Sequence, residues 1–297
     1  MPTRLISTLL ITAVACVALI GVSAAQPPRF PLPLEPEGSV GEAVWPAFEG
    51  WFRNEDGTLT LLLGYFNRNE VSIEIPIGDD NRIEPGGPDQ GQPTHFGSGR
   101  GWGVFSIVVP ADFGDQKFTW RLTANGQATD VSFWLNPPYF VGPMLDRANG
   151  NVPAILTVGS DTLQGPPGGG AVASETLSTR VGRMLTLNAA VTDSPLEIEP
   201  PPRRAGREAP TPVSMTWRKY RGPGEVVFNS DQSEESDSAT MQIDFETLEG
   251  GTTATTATFS EPGEYRLMLS GNDMSGDGGG GNQCCWTTGY VDVTVAP

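Results

Sequence analysis

Few residues in this 297-residue chain are of types and spacings that do chemistry. Its one histidine, His95, rules out any multi-histidine metal centre and the HExxH zinc hydrolases. As a lone general base it would take Asp89 as its orienting carboxylate. Only Thr94 and Ser98 stand nearby as nucleophiles, and neither lies in a strand-to-helix elbow. The plainer expectation is a hydrogen bond that locks the long loop Gly78–Gly101. Glycoside hydrolysis needs only two carboxyl groups at a set separation, and with 35 acidic residues such pairs carry no information by themselves. Most will be solvated, as in the run Asp231–Asp237.

Cys284 and Cys285 are adjacent. In an oxidising compartment two thiols with no third partner bond to each other, bond between chains, or hold a soft metal. A bond between neighbours brings the α-carbons to about 3.8 Å or less, below the usual disulfide span. A structural disulfide fixing a turn before the last strand, with Trp286 packed against it, is the leading expectation. Free buried thiols and a redox, copper or intermolecular role remain open alternatives. Copper would lack a nearby histidine, although Met274 offers a soft ligand.

Asn272, Asp273 and Asp277 lie in the glycine-rich stretch GNDMSGDGGGGNQ and supply hard oxygen atoms suited to Ca²⁺, though not at EF-hand spacing. Ca²⁺ is the candidate cofactor at this stretch; the alternative is a plain acidic turn. Of the 25 Trp, Tyr and Phe residues, 17 fall by residue 140. Trp134 has the opposite parity to Val131, Phe133 and Leu135, and Trp102 sits beside the His95 loop. These two indoles are the candidate exposed platform for a sugar or a peptide, with His95 and Asp89 as further binding candidates. Ordinary core or interdomain packing is the competing role for both.

Short segments position these residues. The 37 glycines and 27 prolines break the chain often, and apolar and polar residues alternate with period two between the breaks. Val71, Ile73, Ile75 and Ile77 predict one strand, and Phe118, Trp120, Leu122 and Ala124 another with these residues inward. Asp56-Gly57 and Asn125-Gly126 are hairpin turns by composition. Later strands are expected at Met184–Thr192, Val213–Tyr220, Glu225–Phe228, Thr252–Phe259, Glu264–Ser270 and Tyr290–Val295. The fold class is therefore all-β, with two antiparallel β-sandwich domains. The first is expected over residues 38–150 and the second over 176–297, joined by a Gly/Pro-rich linker at 151–175.

Arg4, the apolar run Leu5–Val22 and the small residues Ser23, Ala24 and Ala25 read as a cleaved secretory signal over residues 1–25, followed by an extended segment at 26–37. An uncleaved anchor is the rival reading, and lipidation at Cys16 fits poorly. After Ala25 no apolar stretch is long enough to span a membrane. The formal charge of −17 disfavours nucleic acid and anionic membrane surfaces as partners.

Phe259-Ser260-Glu261-Pro262-Gly263-Glu264-Tyr265-Arg266-Leu267, followed by Asn272-Asp273, resembles the F-x-x-P-G-x-Y-x-L pattern of polycystic-kidney-disease (PKD) and related immunoglobulin-like domains. The chain departs from that family in lacking a D-F-G-D-G turn. The resemblance implies an immunoglobulin-like fold for the second domain. Pro85–Phe96 (PGGPDQGQPTHF) and Gln283–Thr287 (QCCWT) also resemble segments of a group of uncharacterised exported bacterial proteins, which implies no activity.

These readings converge on a non-enzymatic secreted or periplasmic protein of ligand-recognition or adhesion type, with an extracellular carbohydrate or protein as its partner. The alternatives are a glycosidase-like hydrolase with a carboxylate pair in the first domain's cleft, and a structural envelope or surface-layer component associating through strand edges.

Overall fold

The computed structural model describes residues 41–142, 150–165, 173, 175–195, 211–231, 239–273 and 284–297. The expected leader, the extended segment after it, Met274, Asp277 and most of the acidic run lie outside the described residues.

In chain order the first strands are β1 (Val44–Arg53), β2 (Leu59–Asn67), β3 (Ile73–Glu74), β4 (Asn81–Glu84), β5 (His95–Phe96), β6 (Gly99–Val109), β7 (Phe118–Ala124) and β8 (Gln127–Phe133). They form antiparallel sheets in the orders β1-β2-β6 and β4-β7-β8, with a small β3-β5 ribbon beside them. Then follow β9 (Ile155–Val158), β10 (Asp161–Gln164), β11 (Leu177–Arg180), β12 (Leu185–Thr192), β13 (Val213–Arg221), β14 (Val226–Asn229), β15 (Thr240–Phe245), β16 (Gly251–Phe259), β17 (Gly263–Asp273) and β18 (Trp286–Ala296). These build two five-stranded sheets, β10-β9-β12-β16-β14 and β11-β18-β17-β13-β15. Among the described strands only β11 runs parallel to its neighbour, along β18.

Turn chemistry sets the hairpins. Asn125 and Gly126 carry φ of 50° and 74°, the pair of left-handed residues that joins two twisted strands in a two-residue turn. At the β1–β2 turn, the Asp56 carboxylate accepts hydrogen bonds from the Thr58 N–H at 2.9 Å and the Thr58 hydroxyl at 2.6 Å. The inward parity expected for β7 holds: Trp120 and Leu122 are fully buried, and the Trp120 indole N–H donates to Asn81 Oδ1 at 3.1 Å. Replacing a buried aromatic such as Trp120 by Ala costs about 3–5 kcal/mol.

The second sandwich is immunoglobulin-like. Its core joins Trp217 and Met215 of β13, Phe228, Phe259, Leu267 and Leu269 to Val291 and Val293 of β18. Tyr265, at the start of β17, donates its hydroxyl to the Glu261 carbonyl at 2.8 Å and accepts the Gly224 N–H at 3.0 Å. A tyrosine tied back to upstream backbone at this corner is a device of immunoglobulin-like sandwiches.

Two expectations change in detail. The alternation at 71–77 yields only the two-residue β3, because Pro76 has no N–H to give a ladder and Val71 stands 65% exposed. The stretch expected as linker contains β9 and β10, and β9 pairs antiparallel with β12 as part of the second sandwich. Leu156 and Val158 point into that core, which is what orders a segment beside so many glycines and prolines.

Adjacent residues on single strands belong to different cores. On β2, Leu61 and Leu63 face the first core, whereas Leu62 packs with Trp286 and Trp102. On β17, Leu267 and Leu269 face the second core while Met268 joins the first cluster. On β18, Val291 faces the second core and Tyr290 the first cluster. The outer face of β1-β2-β6 thus lies against the outer face of β18-β17-β13, within a single unit spanning Gly41–Pro297. Among the described residues no helix is long and apolar enough to cross a membrane.

Candidate functional site

The junction of the two sandwiches is held by the loop that carries the Pro85–Phe96 segment. Tyr220 donates its hydroxyl to the Gly91 carbonyl, and its own carbonyl accepts the Thr94 N–H at 3.1 Å. Arg221 grips Asp89 with two hydrogen bonds at 2.8 and 3.1 Å and also donates to the Gln92 carbonyl. Gln92 is fully buried; its Oε1 accepts the Gln90 N–H and its Nε2 donates to the Pro88 carbonyl. On the other side, Tyr290 donates to the Val104 carbonyl, and Gly103 leaves the space that the Trp286 ring occupies: a Cβ there would lie 2.4 Å from its Cζ2.

Where the faces separate, a cleft of about 300 Å³ opens between them. Tyr65, Trp102, Tyr220 and Trp286 give it aromatic walls, and Arg100, Arg218, Lys219 and His95 line it with nitrogen donors. Among the described residues none of those lining the cleft carries a carboxyl group. Two carboxylates stand behind the lining. Glu74 Oε1 meets both His95 Nδ1 and Lys219 Nζ at 2.7 Å, so the ammonium, on a side chain only 4% exposed, has a partner. Glu49 accepts the Arg100 guanidinium at 2.5 Å and the Gly103 N–H at 2.7 Å, with its side chain 1% exposed.

The electrostatics differ at the two carboxylates. At Glu74 burial raises the carboxyl pKa, but the hydrogen bonds and charges of His95 and Lys219 outweigh it and leave the group below its ordinary value. At Glu49 burial dominates and pushes the carboxyl up to about 7, against the pull of Arg100 and the Gly103 N–H. Arg218 forms no ion pair among the described residues. Its charge opposes the burial that raises the Tyr65 hydroxyl pKa, and both residues line the cleft. Among the described residues, Arg100, Arg218 and Lys219 against Glu49 and Glu74 give the cleft an excess of positive charge in a chain whose formal charge is −17.

The residues singled out from the sequence divide here. His95 and Trp102 both line the cleft. Asp89 does not orient His95: it pairs with Arg221, whose hydrogen bonds hold its carboxyl below the usual range, and Glu74 takes the place beside the imidazole. Trp134 lies away from the cleft with the Lys117 ammonium 4.3 Å over its ring. Trp102 is half-buried, with Arg100 stacked on it at 4.0 Å, so it is a wall and not an open platform. The most exposed aromatics among the described residues are Phe140, Trp45, Tyr139 and Phe66, at 52%, 49%, 46% and 42%, and neither motif nor parity marks them.

Cys284 and Cys285 are joined to each other, both buried, with α-carbons 3.1 Å apart. Trp286 turns away from them to Leu62 and Trp102. Asn272 and Asp273 end β17, and Asp273 Oδ2 accepts the Asn151 amide at 2.6 Å. Among the described residues no three His, Cys, Asp or Glu gather as metal ligands. Among the described residues the carboxylates next to the cleft are Glu49, sealed beneath it, and Glu74, bonded to His95 and Lys219.

No family model matches the chain, and no curated protein matches it. Among solved structures, the N-terminal domain of PorA aligns at 14% identity and a TM-score of 0.27, covering 48% of this chain and 96% of that one. Domains 4 and 5 of the S-layer protein SbsC align at 10% identity and a TM-score of 0.23, covering 86% of this chain and 98% of that one. Both likenesses are shallow, and no function follows from them.

Proposed function

We propose that this is an exported, non-enzymatic recognition protein that holds an anionic ligand in the cleft between its two sandwiches. The observation that carries this reading is Arg218, a guanidinium lining an aromatic-walled cleft without an acidic partner among the described residues. A planar, permanently charged fork of donors suits a carboxylate or phosphate, and aromatic walls suit the apolar body of the same ligand. The acidic remainder of the chain supports selectivity, because an anion finds an attractive field only at such a site. The export reading rests on the leader-like residues 1–25.

Calorimetric titration with a panel of carboxylated sugars, neutral sugars and acidic peptides tests the proposal. Saturable binding of an anionic member is expected, weakening as salt is raised. Arg218→Ala should weaken it about 10- to 100-fold, the worth of a charge-assisted hydrogen bond. No anion bound at millimolar concentration, together with turnover of any substrate, would reverse the reading.

A further inference from the structure

Arg100 lines the cleft, and it is also the end of a row. Trp45 of β1 is the cross-strand partner of Phe66 of β2, and Phe66 is the partner of Arg100 of β6. Cross-strand partners project from the same face of a sheet. The row therefore leads from the cleft across two strand spacings, about 10 Å, over the outer face of the first sandwich.

Its two aromatic members are open to solvent. The half-exposed ring of Tyr139 stacks on Phe48, and that of Phe140 meets Trp51 edge to face. Trp45 and Phe66, by contrast, make no ring contact among the described residues. Two large aromatic faces side by side in water, continuous with a cationic cleft, form a surface that a ligand can cover.

We infer that cleft and row form one groove for an acidic oligosaccharide, with the carboxylate of one uronate sugar on Arg218 and its neighbours laid on Phe66 and Trp45. This inference rests on the cleft being the binding site. The groove crosses the strands on the face of the β1-β2-β6 sheet, so a peptide lying in it runs across β1 and β6 and cannot pair along their edges. Anionic membrane surfaces are repelled by the net charge of the chain.

The test uses the full chain and four probes: galacturonate, its tetramer, a neutral tetrasaccharide and a poly-glutamate peptide. The tetramer should bind roughly tenfold or more tighter than the monomer, from the added aromatic contacts. The neutral tetrasaccharide and the peptide should bind far more weakly. The double variant Trp45→Ala/Phe66→Ala should erase the gain with length, leave monomer affinity unchanged, and keep the melting temperature, since both side chains are half-exposed. Equal affinity for monomer and tetramer, a length gain that survives the double variant, or poly-glutamate binding as tightly as the tetramer would each overturn the groove while leaving the cleft. Failure of monomer and tetramer alike to bind the unmodified protein would overturn the cleft beneath it.

Discussion

Glu74→Gln should strand a buried ammonium. Lys219 Nζ sits 2.7 Å from Glu74 Oε1 on a side chain 4% exposed, so glutamine keeps the shape and an acceptor but removes the compensating charge. Breaking a fully buried pair from one side costs about 3–5 kcal/mol. The Glu74 side chain is 47% exposed, so water screens part of that, and about 2 kcal/mol is the expected loss. At roughly 2–4 °C per kcal/mol for a folded unit near this size, the melting temperature should drop by about 4–8 °C. Lys219→Met removes the buried charge itself and leaves a half-solvated Glu74 still bonded to His95, so its cost should stay within about 1 kcal/mol. The double variant should then match Lys219→Met alone, a coupling of about 2 kcal/mol in a urea-unfolding cycle followed by tryptophan fluorescence. Additive single effects would refute the reasoning. The pH dependence has a definite sign. With a folded pKa below the ordinary 4.5, Glu74 contributes stability that is present above pH 4.5 and lost as pH falls through the folded value, and Glu74→Gln should lack that acid limb.

Glu49 predicts the opposite slope. Its carboxyl is held at about 7 in the folded state, so its contribution is complete below pH 4.5 and lost as pH rises through 7, about 3 kcal/mol in all. Glu49→Gln should flatten that part of a urea-midpoint series from pH 4 to 8, and an unchanged slope would contradict the assignment. Gly103→Ala should lower the melting temperature by more than Gly57→Ala, because both residues have positive φ but only the first would press a Cβ onto Trp286, at about 1–3 kcal/mol for overpacking. Equal losses would mean that the Trp286 contact is loose. Replacing both Cys284 and Cys285 by Ser puts two hydroxyls into a buried site and should cost about 1–3 kcal/mol for each that finds no partner, read as a lower melting temperature of oxidised protein. No change would exclude a structural role for the pair.

The strands of the second sandwich were legible because each is bounded by turn residues and alternates cleanly, and β12, β14 and β16 start or end within a residue or two of expectation. The inward parity of Trp120 and Trp217 was legible for the same reason. What alternation cannot show is a strand buried on both faces by two different partners. Ser214, Thr216 and Ser270 read as solvent-facing, yet all are buried, because another sandwich covers the side that parity assigns to water. The cleft suffers the same blindness. His95 and Trp102 were reachable as loop and aromatic outliers, whereas Glu49, Glu74, Arg100 and Arg218 belong to no motif and acquire their roles only when distant segments meet. Ile155–Val158 did carry a signal, a short apolar and β-branched run before Gly159, masked by the glycines and prolines downstream.

The double-sided strands have a consequence for how this molecule can be divided. A chain cut near residue 150 would leave the second half with Tyr220, Met268, Trp286 and Tyr290 on the open face of the β11-β18-β17-β13-β15 sheet, each of which is under one-tenth exposed in the whole protein. The first half would present Leu62 and Trp102 likewise. Each half therefore shields the other from self-association, and such fragments should clump at concentrations where the intact protein stays dispersed. During synthesis the first half would wait with that face uncovered until β13, β17 and β18 have emerged, so the interval before docking is when the chain is most exposed to aggregation.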